Sequence, residues 1–182
     1  MNTSNNRVLS VEEMTAVAER ERKEHRRIVF TNGCFDILHV GHLRYLREAA
    51  RQGDVLVVGV NSDASVRSLG KGDGRPVVPQ DERAELVAAL EPVDYVVIFD
   101  EPDPLETILA VRPDVLVKGA DWEEENIIGA KEVKSWGGRV FRARLVDDRS
   151  TTDIIEKIRE LKQYPKSRAA GRQRKAALFS RA

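Results

Sequence analysis

The sequence predicts an α/β fold, a single doubly wound domain built on a five-stranded parallel sheet. Five short runs of mostly β-branched residues recur along the chain, and segments with helical spacing of apolar residues separate them. Each run is continuous rather than alternating, which is typical of parallel strands buried on both faces. Strand followed by helix, five times over, implies right-handed crossovers with helices on both sides of the sheet. The runs are "IVF" (28–30), "VLVVGV" (55–60), "YVVIF" (95–99), "VLV" (115–117) and "RVF" (139–141).

The helices are predicted in order from their start and stop signals. After Ser10 the segment "VEEMTAVAERERKEHRR" has acidic residues first and basic residues last, the charge order that suits a helix dipole. Later helices are predicted where helical spacing follows a capping residue or a proline. They span 41–52, 62–68, 79–90, 103–111, 129–136 and 151–162. We therefore divide the chain into a leading segment with one helix (1–27), a domain (28–162) and a basic, solvated tail (163–182).

Composition excludes several classes of protein. The 182 residues contain 30 Lys and Arg against 30 Asp and Glu, so no overall field draws the chain to nucleic acid or to a membrane. The single cysteine, Cys34, excludes an internal disulfide framework. No apolar run approaches the ~20 residues that span a bilayer, and the first ten residues lack the pattern of a signal peptide. A cytoplasmic protein is expected.

The segment "TNGCFDILHVGH" (31–42) follows the first predicted strand and is the main candidate site. Ligands of parallel α/β sheets bind beyond the carboxyl ends of the strands, and the first turn from strand to helix is the usual phosphate site. Gly33 and Gly41 permit close backbone approach, and the N–H groups that begin the next helix attract an anion. Two of the three histidines, His39 and His42, are placed to point at the same phosphate.

Three other interpretations of this segment were weighed. A dinucleotide site would need G-x-G-x-x-G, which the segment lacks. A zinc site from Cys34, His39 and His42 has no second Cys or His cluster to complete four ligands, so no metal site is predicted. Two core histidines within one glycine-punctuated loop are less expected than two functional ones.

The loop resembles the H-x-G-H signature of the nucleotidyltransferases, and the longer "NGCFDILHVGHLRYL" is similar to their cytidylyltransferase-like subgroup. Further segments, in the same order, resemble the D-glycero-β-D-manno-heptose 1-phosphate adenylyltransferases over about residues 28–160. They are "GDVLVVGVNSDASVR", "KGDGRPVVPQDERAELVAAL", "VDYVVIF", "PDVLVKGADW", "GAKEV", "GGRV" and "STTDII". The resemblance implies a Rossmann-like domain of the HxGH nucleotidyltransferase type, ATP as a substrate with Mg²⁺ carried on its triphosphate, and a sugar 1-phosphate as the acceptor.

Nucleotidyl transfer needs no general base, because the acceptor phosphate is already a nucleophile. The protein has to position the reactants and neutralise the charge that develops. The resemblance assigns His39 and His42 as hydrogen-bond donors to the triphosphate, and Lys71, in the glycine-rich loop 68–79, as a third catalytic residue.

The resemblance also implies binding residues. Those for the nucleotide are Thr31, Asn32, Gly33, Cys34, Phe35, Gly41, Lys118, Gly119, Asp121, Trp122, Ser150, Thr151 and Thr152. Those for the acceptor are Asp36, Asp63, Arg75 and Arg83. Alternatives stay open at this point: Asp36 as a loop anchor, Asp63 in a helix cap, Arg83 as a solvated helix residue, Trp122 as a buried turn residue and Ser150 as a simple N-cap.

The sequence thus predicts an adenylyltransferase that makes ADP-heptose and pyrophosphate for lipopolysaccharide or other surface glycans. A CTP-dependent enzyme acting on glycerol 3-phosphate is the nearest alternative, since Arg149 departs from the heptose pattern. A nucleotide-binding protein without turnover is the alternative from another class. A homodimer is expected from the subgroup, and a separate sugar kinase is expected because the leading segment is too short to contain one.

Overall fold

A computed structural model describes residues 7–70, 72, 74–144 and 150–162. The chain falls into two compact units, residues 1–149 and residues 150–182. The predicted basic tail (163–182) and Lys71 lie outside the described residues. Within the described ranges, every helix is too short or too polar to cross a membrane.

The first unit is built on a parallel sheet, as predicted. Its strand order is β1-β4-β3-β2-β5-β6, and every neighbouring pair is parallel. The predicted number of five strands was wrong, because a two-residue strand near the N-terminus pairs with β4 at the edge. Two residues are too few for a recognisable pattern. The described strands are β1 (Val8–Leu9), β2 (Ile28–Gly33), β3 (Val55–Asn61), β4 (Tyr95–Phe99), β5 (Val115–Gly119) and β6 (Arg139–Ala143).

All seven predicted helices are present, with ends that differ from the prediction by a few residues. Ser10 caps the first one: its hydroxyl accepts from the Glu13 N–H (3.2 Å), and the Glu13 carboxylate accepts from the Ser10 N–H (2.9 Å). The described helices are α1 (Val11–Lys23), α2 (Val40–Ala50), α3 (Asp63–Ser68), α4 (Gln80–Ala88), α5 (Leu105–Val111), α6 (Ala130–Ser135) and α7 (Thr151–Lys162).

Two apolar layers cover the sheet, one on each face. Helices α2 and α4 pack on one face through residues such as Leu46 and Val87. Helices α1, α5 and α6 pack on the other through Met14, Ile108 and Val133. Because both faces are covered, β2, β3 and β5 are buried throughout their apolar runs, as the continuous patterns predicted. Val140 and Phe141 of β6, at the edge of the sheet, are only half-buried.

Three aspartates close the amino edge of the sheet. Each directly precedes a strand, and its carboxylate accepts the backbone N–H at the start of the neighbouring strand. Asp54 accepts from Arg27 (2.7 Å), Asp94 from Leu56 (2.8 Å) and Asp114 from Ile28 (2.7 Å). These charge-assisted bonds satisfy donors that the parallel ladder leaves open and fix the register of β2 and β3.

The strand order reverses direction between β2 and β5. Their backbone pairing ends at Phe30 opposite Leu116, although β2 continues to Gly33 and β5 to Gly119. The two strands therefore part at their carboxyl ends, and this is the place where open α/β sheets bind ligands.

Candidate active site

The two motif histidines cap the helix that follows β2. His39 is the N-cap of α2, and its Nδ1 accepts from the Gly41 N–H (3.2 Å). His42 lies three residues later, and its Nδ1 accepts from the His39 N–H (3.4 Å). The arrangement is a capping box in which two imidazoles replace the usual hydroxyl and carboxylate. The rings stack, with centroids 3.9 Å apart.

This capping geometry fixes which nitrogens carry protons. An Nδ1 that accepts a hydrogen bond has no proton, so the N–H of each ring is on Nε2. Burial, together with the neighbouring His39, lowers the pKa of His42 to about 4, so that ring is neutral at pH 7. The pair therefore presents two Nε2–H donors from adjacent rings, which suits phosphate oxygens.

The ring of Phe35 packs against the ring of His42. Phe35 is buried and has a φ of 46°, a left-handed conformation that is rare for a bulky residue. Its ring lies 5.3 Å from that of His42, and a Cβ at Gly33 would come within 3.2 Å of it. The strained backbone at Phe35 thus places its ring between Gly33, at the end of β2, and His42.

Asp36 holds the end of the glycine-rich loop against the histidine loop. Its side chain is fully buried. One carboxylate oxygen accepts from the N–H groups of Val77 (2.7 Å) and Val78 (3.0 Å), and the other accepts from Arg75 Nε (2.9 Å). The contacts agree with the loop-anchoring interpretation of Asp36, and they show that Arg75 is paired with it.

Arg83 is buried completely, so the alternative of a solvated helix residue was wrong. Its guanidinium donates to three groups: Val78 O (2.9 Å), Cys34 O (2.5 Å) and Asp63 Oδ1 (2.8 Å). The four residues predicted to bind the acceptor, Asp36, Asp63, Arg75 and Arg83, are therefore joined in internal contacts. We call these four side chains the loop anchor.

Where β2 and β5 diverge, hydrogen bonds of side chains connect the two strands in place of backbone pairing. Thr31 Oγ1 lies 3.0 Å from Val117 O and 2.7 Å from the hydroxyl of Tyr45, which itself lies 3.2 Å from Val117 O. One residue further along each strand, Lys118 Nζ donates to Asn32 Oδ1. Thr31 is buried, so its contacts are internal.

The turn after β5 is exposed. Trp122 has 49% of its surface accessible, so the alternative of a buried turn residue was wrong. Its backbone N–H donates to Gly119 O (3.1 Å). Arg142, on β6, donates to Ala120 O (2.7 Å) and holds the same turn. Asp121 is exposed beside Trp122, and this surface is available for stacking and hydrogen bonding.

Four predicted site residues do not belong to the described part of the first unit. Ser150 begins α7 in the second unit, where its hydroxyl accepts from the Asp153 N–H (3.1 Å) and its own N–H donates to the Asp153 carboxylate (3.1 Å). Thr151 and Thr152 form the first turn of that helix. Lys71 is outside the described residues. Among the residues that are described, no group of three or more His, Cys, Asp or Glu side chains could hold a metal ion.

Sequence reasoning missed Tyr45. It lies three residues after His42, on the same face of α2, and its hydroxyl reaches the carboxyl ends of both β2 and β5. The available signal was this spacing, since an aromatic one turn after a site residue points back to the same edge of the sheet.

A parallel α/β sheet that presents paired histidine donors in the turn between β2 and α2 defines a nucleotidyltransferase domain. Residues 30–162 match the family model described as cytidylyltransferase-like, and the chain belongs to this family. The family predicted from the loop is confirmed.

Curated relatives extend the match. The chain is 56% identical over 147 residues to a bifunctional protein HldE from Syntrophotalea carbinolica, covering 81% of this chain and 30% of that protein. It is 51% identical over 158 residues to the protein of the same name from Geobacter sulfurreducens, covering 87% and 32%. The chain thus spans about a third of the length of these relatives.

Solved structures share the fold. A lipopolysaccharide core biosynthesis protein from Thermoplasma volcanium is 32% identical with a TM-score of 0.56, over 66% of this chain and 97% of the other. Pantothenate synthetase from Thermus thermophilus has a TM-score of 0.53 at 19% identity, over 77% of this chain and 62% of the other, a likeness of fold alone.

Proposed function

We propose that the domain is an adenylyltransferase that joins ATP and D-glycero-β-D-manno-heptose 1-phosphate to give ADP-heptose and pyrophosphate, for lipopolysaccharide or other surface glycans. The observation that carries nucleotidyl transfer is the capped histidine pair, in which each Nδ1 accepts a backbone N–H and each ring therefore carries its proton on Nε2. The heptose substrate is supported by the resemblance of the segments between residues 28 and 160. It is also supported by the likeness to a lipopolysaccharide core biosynthesis protein.

In the proposed reaction an oxygen of the sugar phosphate attacks the α-phosphorus of ATP. The bond from that phosphorus to the bridging oxygen breaks, and pyrophosphate leaves with the electron pair. Negative charge grows on the α-phosphate and the leaving group, and fixed donors stabilise it most when they need no reorganisation. The stacked rings of His39 and His42, held by backbone N–H groups, are such donors.

Other residues are proposed to position the reactants. Lys71 adds a cation to the triphosphate or the sugar phosphate. Lys118 and Gly119 border the crevice between β2 and β5, and Asp121 and Trp122 offer a carboxylate and an aromatic face to the ribose and the base. Mg²⁺ enters with the triphosphate, held by phosphate oxygens and water, while the Nε2–H donors suit the phosphate oxygens rather than the cation.

The test is pyrophosphate release by the purified protein with Mg²⁺, crossing ATP and CTP against heptose 1-phosphate and glycerol 3-phosphate. We expect turnover with ATP and the heptose. His39→Ala should lower kcat by roughly 10²–10³-fold, the usual effect of removing one transition-state donor. His25→Asn is the matched control, because His25 is exposed, has a φ of 59° that asparagine tolerates, and lies at the opposite edge of the sheet.

The outcomes separate the alternatives. Turnover with CTP or with glycerol 3-phosphate would keep the histidine mechanism and replace the substrates. ATP binding without pyrophosphate release for any pair would favour a nucleotide-binding protein. Equal loss of rate in His25→Asn would mean that the effect of His39→Ala is not specific to the site.

A further inference from the structure

The clearest feature that the proposed mechanism leaves unused is the contact of Tyr45 with the diverging strands. Tyr45 OH lies 2.7 Å from Thr31 Oγ1 and 3.2 Å from Val117 O, and Thr31 Oγ1 lies 3.0 Å from the same carbonyl. Beyond Phe30 the backbone no longer pairs β2 with β5. The triangle of Tyr45, Thr31 and Val117 therefore bridges the two strands at the first residue past the ladder.

The two hydroxyls can supply only two protons to the three contacts. One hydroxyl donates to the Val117 carbonyl, and the other donates to the first hydroxyl. Burial raises the pKa of Tyr45, and the carboxylates of Asp121 and Glu48 add to the shift. The phenol therefore keeps its proton at neutral pH, and the network is a chain of directional bonds rather than a contact of shape alone.

Helix α2 carries three consecutive polar contacts along one face, at intervals of three residues. His42 belongs to the capped pair, Tyr45 reaches β5, and the Glu48 carboxylate accepts from the Arg144 N–H (3.2 Å) just after β6. The apolar packing of α2 on the sheet, through Leu46 and Ala49, is not directional. The hydroxyl of Tyr45 therefore restrains the helix relative to the β5 side of the crevice.

We infer that Tyr45 is a positioning residue that sets the distance between the histidine pair on α2 and the end of β5, where Lys118 and Gly119 border the crevice. The inference rests on the proposed nucleotidyl transfer for its kinetic consequence. Tyr45 acts through the groups it holds, since its hydroxyl contacts only Thr31 and Val117 among its described hydrogen bonds.

The first experiment removes the hydroxyl alone with Tyr45→Phe and measures two quantities. Steady-state kinetics should give kcat lower by ~10-fold to ~100-fold, with KM for both substrates within about twofold, because a small displacement of reacting groups weakens the chemical step more than binding. NMR of the ligand-free protein should show shifted ring signals of His42 and a shifted backbone amide of Lys118. Tyr95→Phe is the matched control: its hydroxyl contacts exposed Arg20 at 3.4 Å, and neither quantity should change.

A second pair of variants tests the network itself. Thr31→Val removes the other hydroxyl of the bridge and should resemble Tyr45→Phe in both kcat and the NMR shifts. The double variant Thr31→Val with Tyr45→Phe should be little worse than either single variant, since both remove the same bridge. All assays are run below the onset of thermal unfolding of each variant, so that loss of folded protein does not enter kcat.

Several results would overturn the inference. A Tyr45→Phe protein with kcat within twofold of the unchanged protein would do so, as would unmoved His42 and Lys118 signals. Loss of rate without those shifts would mean that the hydroxyl touches a substrate. If the unchanged protein turns over no pair of substrates, the proposed function fails, yet the NMR shifts still decide whether Tyr45 couples the two sides.

Discussion

At the scale of single residues, His42 combines a structural role with the proposed chemical role in one ring. Its Nδ1 satisfies a backbone donor at the start of α2, which leaves the Nε2–H for a ligand. The same burial that permits this contact disfavours the imidazolium form. The sequence predicted that the two motif histidines share a site, but not that they cap the helix, because imidazoles are uncommon in that role.

His42 should therefore titrate far from the ordinary value of 6.5. Its pKa in the folded protein is lowered to about 4 by burial and by His39. Between pH 6.5 and 4 the unfolded chain binds this proton and the folded one does not, so the free energy of unfolding falls as the pH falls through that window. NMR titration of the His42 ring in the ligand-free protein should give a midpoint about 4. A midpoint near that of exposed histidine would contradict the packing described.

Gly59 is the residue whose substitution should link the core to the site. A Cβ there would lie 2.9 Å from the Phe30 ring and 3.1 Å from Asn32 Cβ, so Gly59→Ala should destabilise the protein by about 1–3 kcal/mol. It should also lower activity, because Asn32 accepts a hydrogen bond from Lys118. Chemical denaturation and kinetics measure the two effects.

Gly53→Ala is the control for this substitution. Its Cβ would meet Arg27 O and Val29 at 2.7 Å each, at the amino edge of the sheet and away from the crevice. We expect it to lower stability while the folded protein keeps its kcat. If the two variants lose activity equally, overpacking in the core is the whole explanation.

At the scale of elements, the sequence predicted those strands and helices whose residues form a recognisable local pattern. Continuous apolar runs predicted five strands, and caps and prolines predicted seven helices. β1 was missed because two residues carry no periodicity. The polar and glycine ends of β2, β3 and β5 were also missed, since Gly33, Asn61 and Gly119 have low strand propensity.

The loop anchor depends on contacts that no local pattern shows. Asp36 and Arg75 are 39 positions apart, and Arg83 and Cys34 are 49 apart. The resemblance predicted these side chains at the acceptor site, and in the structure they form two ion pairs, Asp36 with Arg75 and Asp63 with Arg83. A charged residue beside a site in sequence is equally compatible with either role until its partners are known.

Asp36 should control the mobility of the end of the glycine-rich loop, at Val77 and Val78. Hydrogen exchange at Val77 and Val78 should be faster in Asp36→Ala, because both N–H groups lose their acceptor. Asp36→Asn keeps a carbonyl acceptor and should show a smaller increase. Unchanged protection of both amides in Asp36→Ala would show that Arg83 alone suffices to hold the segment.

The aspartates at the amino edge should stabilise the sheet by a measurable amount. Asp94→Ala removes the acceptor of the Leu56 N–H (2.8 Å), and an unsatisfied backbone donor costs about 1–3 kcal/mol. Urea denaturation of Asp94→Ala should show that loss, while Glu91→Ala, at an exposed position in the preceding turn, should change little. Equal midpoints for the two variants would refute the role of Asp94.

At the scale of the whole molecule, positive and negative side chains are equal in number. The chain has a formal net charge of +0 with neutral histidines, and its pI is about 6.9. This balance favours a local site over an extended electrostatic surface. The substrate was predicted from the resemblance alone, because hydrophobic periodicity carries no information about the stereochemistry of a sugar.

Solubility should follow from that balance. With no net charge to keep copies apart, the protein should precipitate at the lowest polyethylene glycol concentration near pH 7, and at higher concentrations toward pH 5 and pH 9. Precipitation midpoints across this range measure the effect. A curve without a minimum near pH 7 would mean that local patches outweigh the net charge.

The capping box formed by His39 and His42 also bears on how the sequence can drift over evolutionary time. Loss of His39 would remove the proposed hydrogen-bond donor to phosphate together with an N-cap, so selection should act on this position even in a descendant that no longer turns over substrate. Such a lineage would be expected to replace His39 with Ser, Asp or Asn, which keep the cap without the chemistry. The residue at position 39 thus distinguishes a lineage that has lost catalysis from one that has also lost the start of its helix.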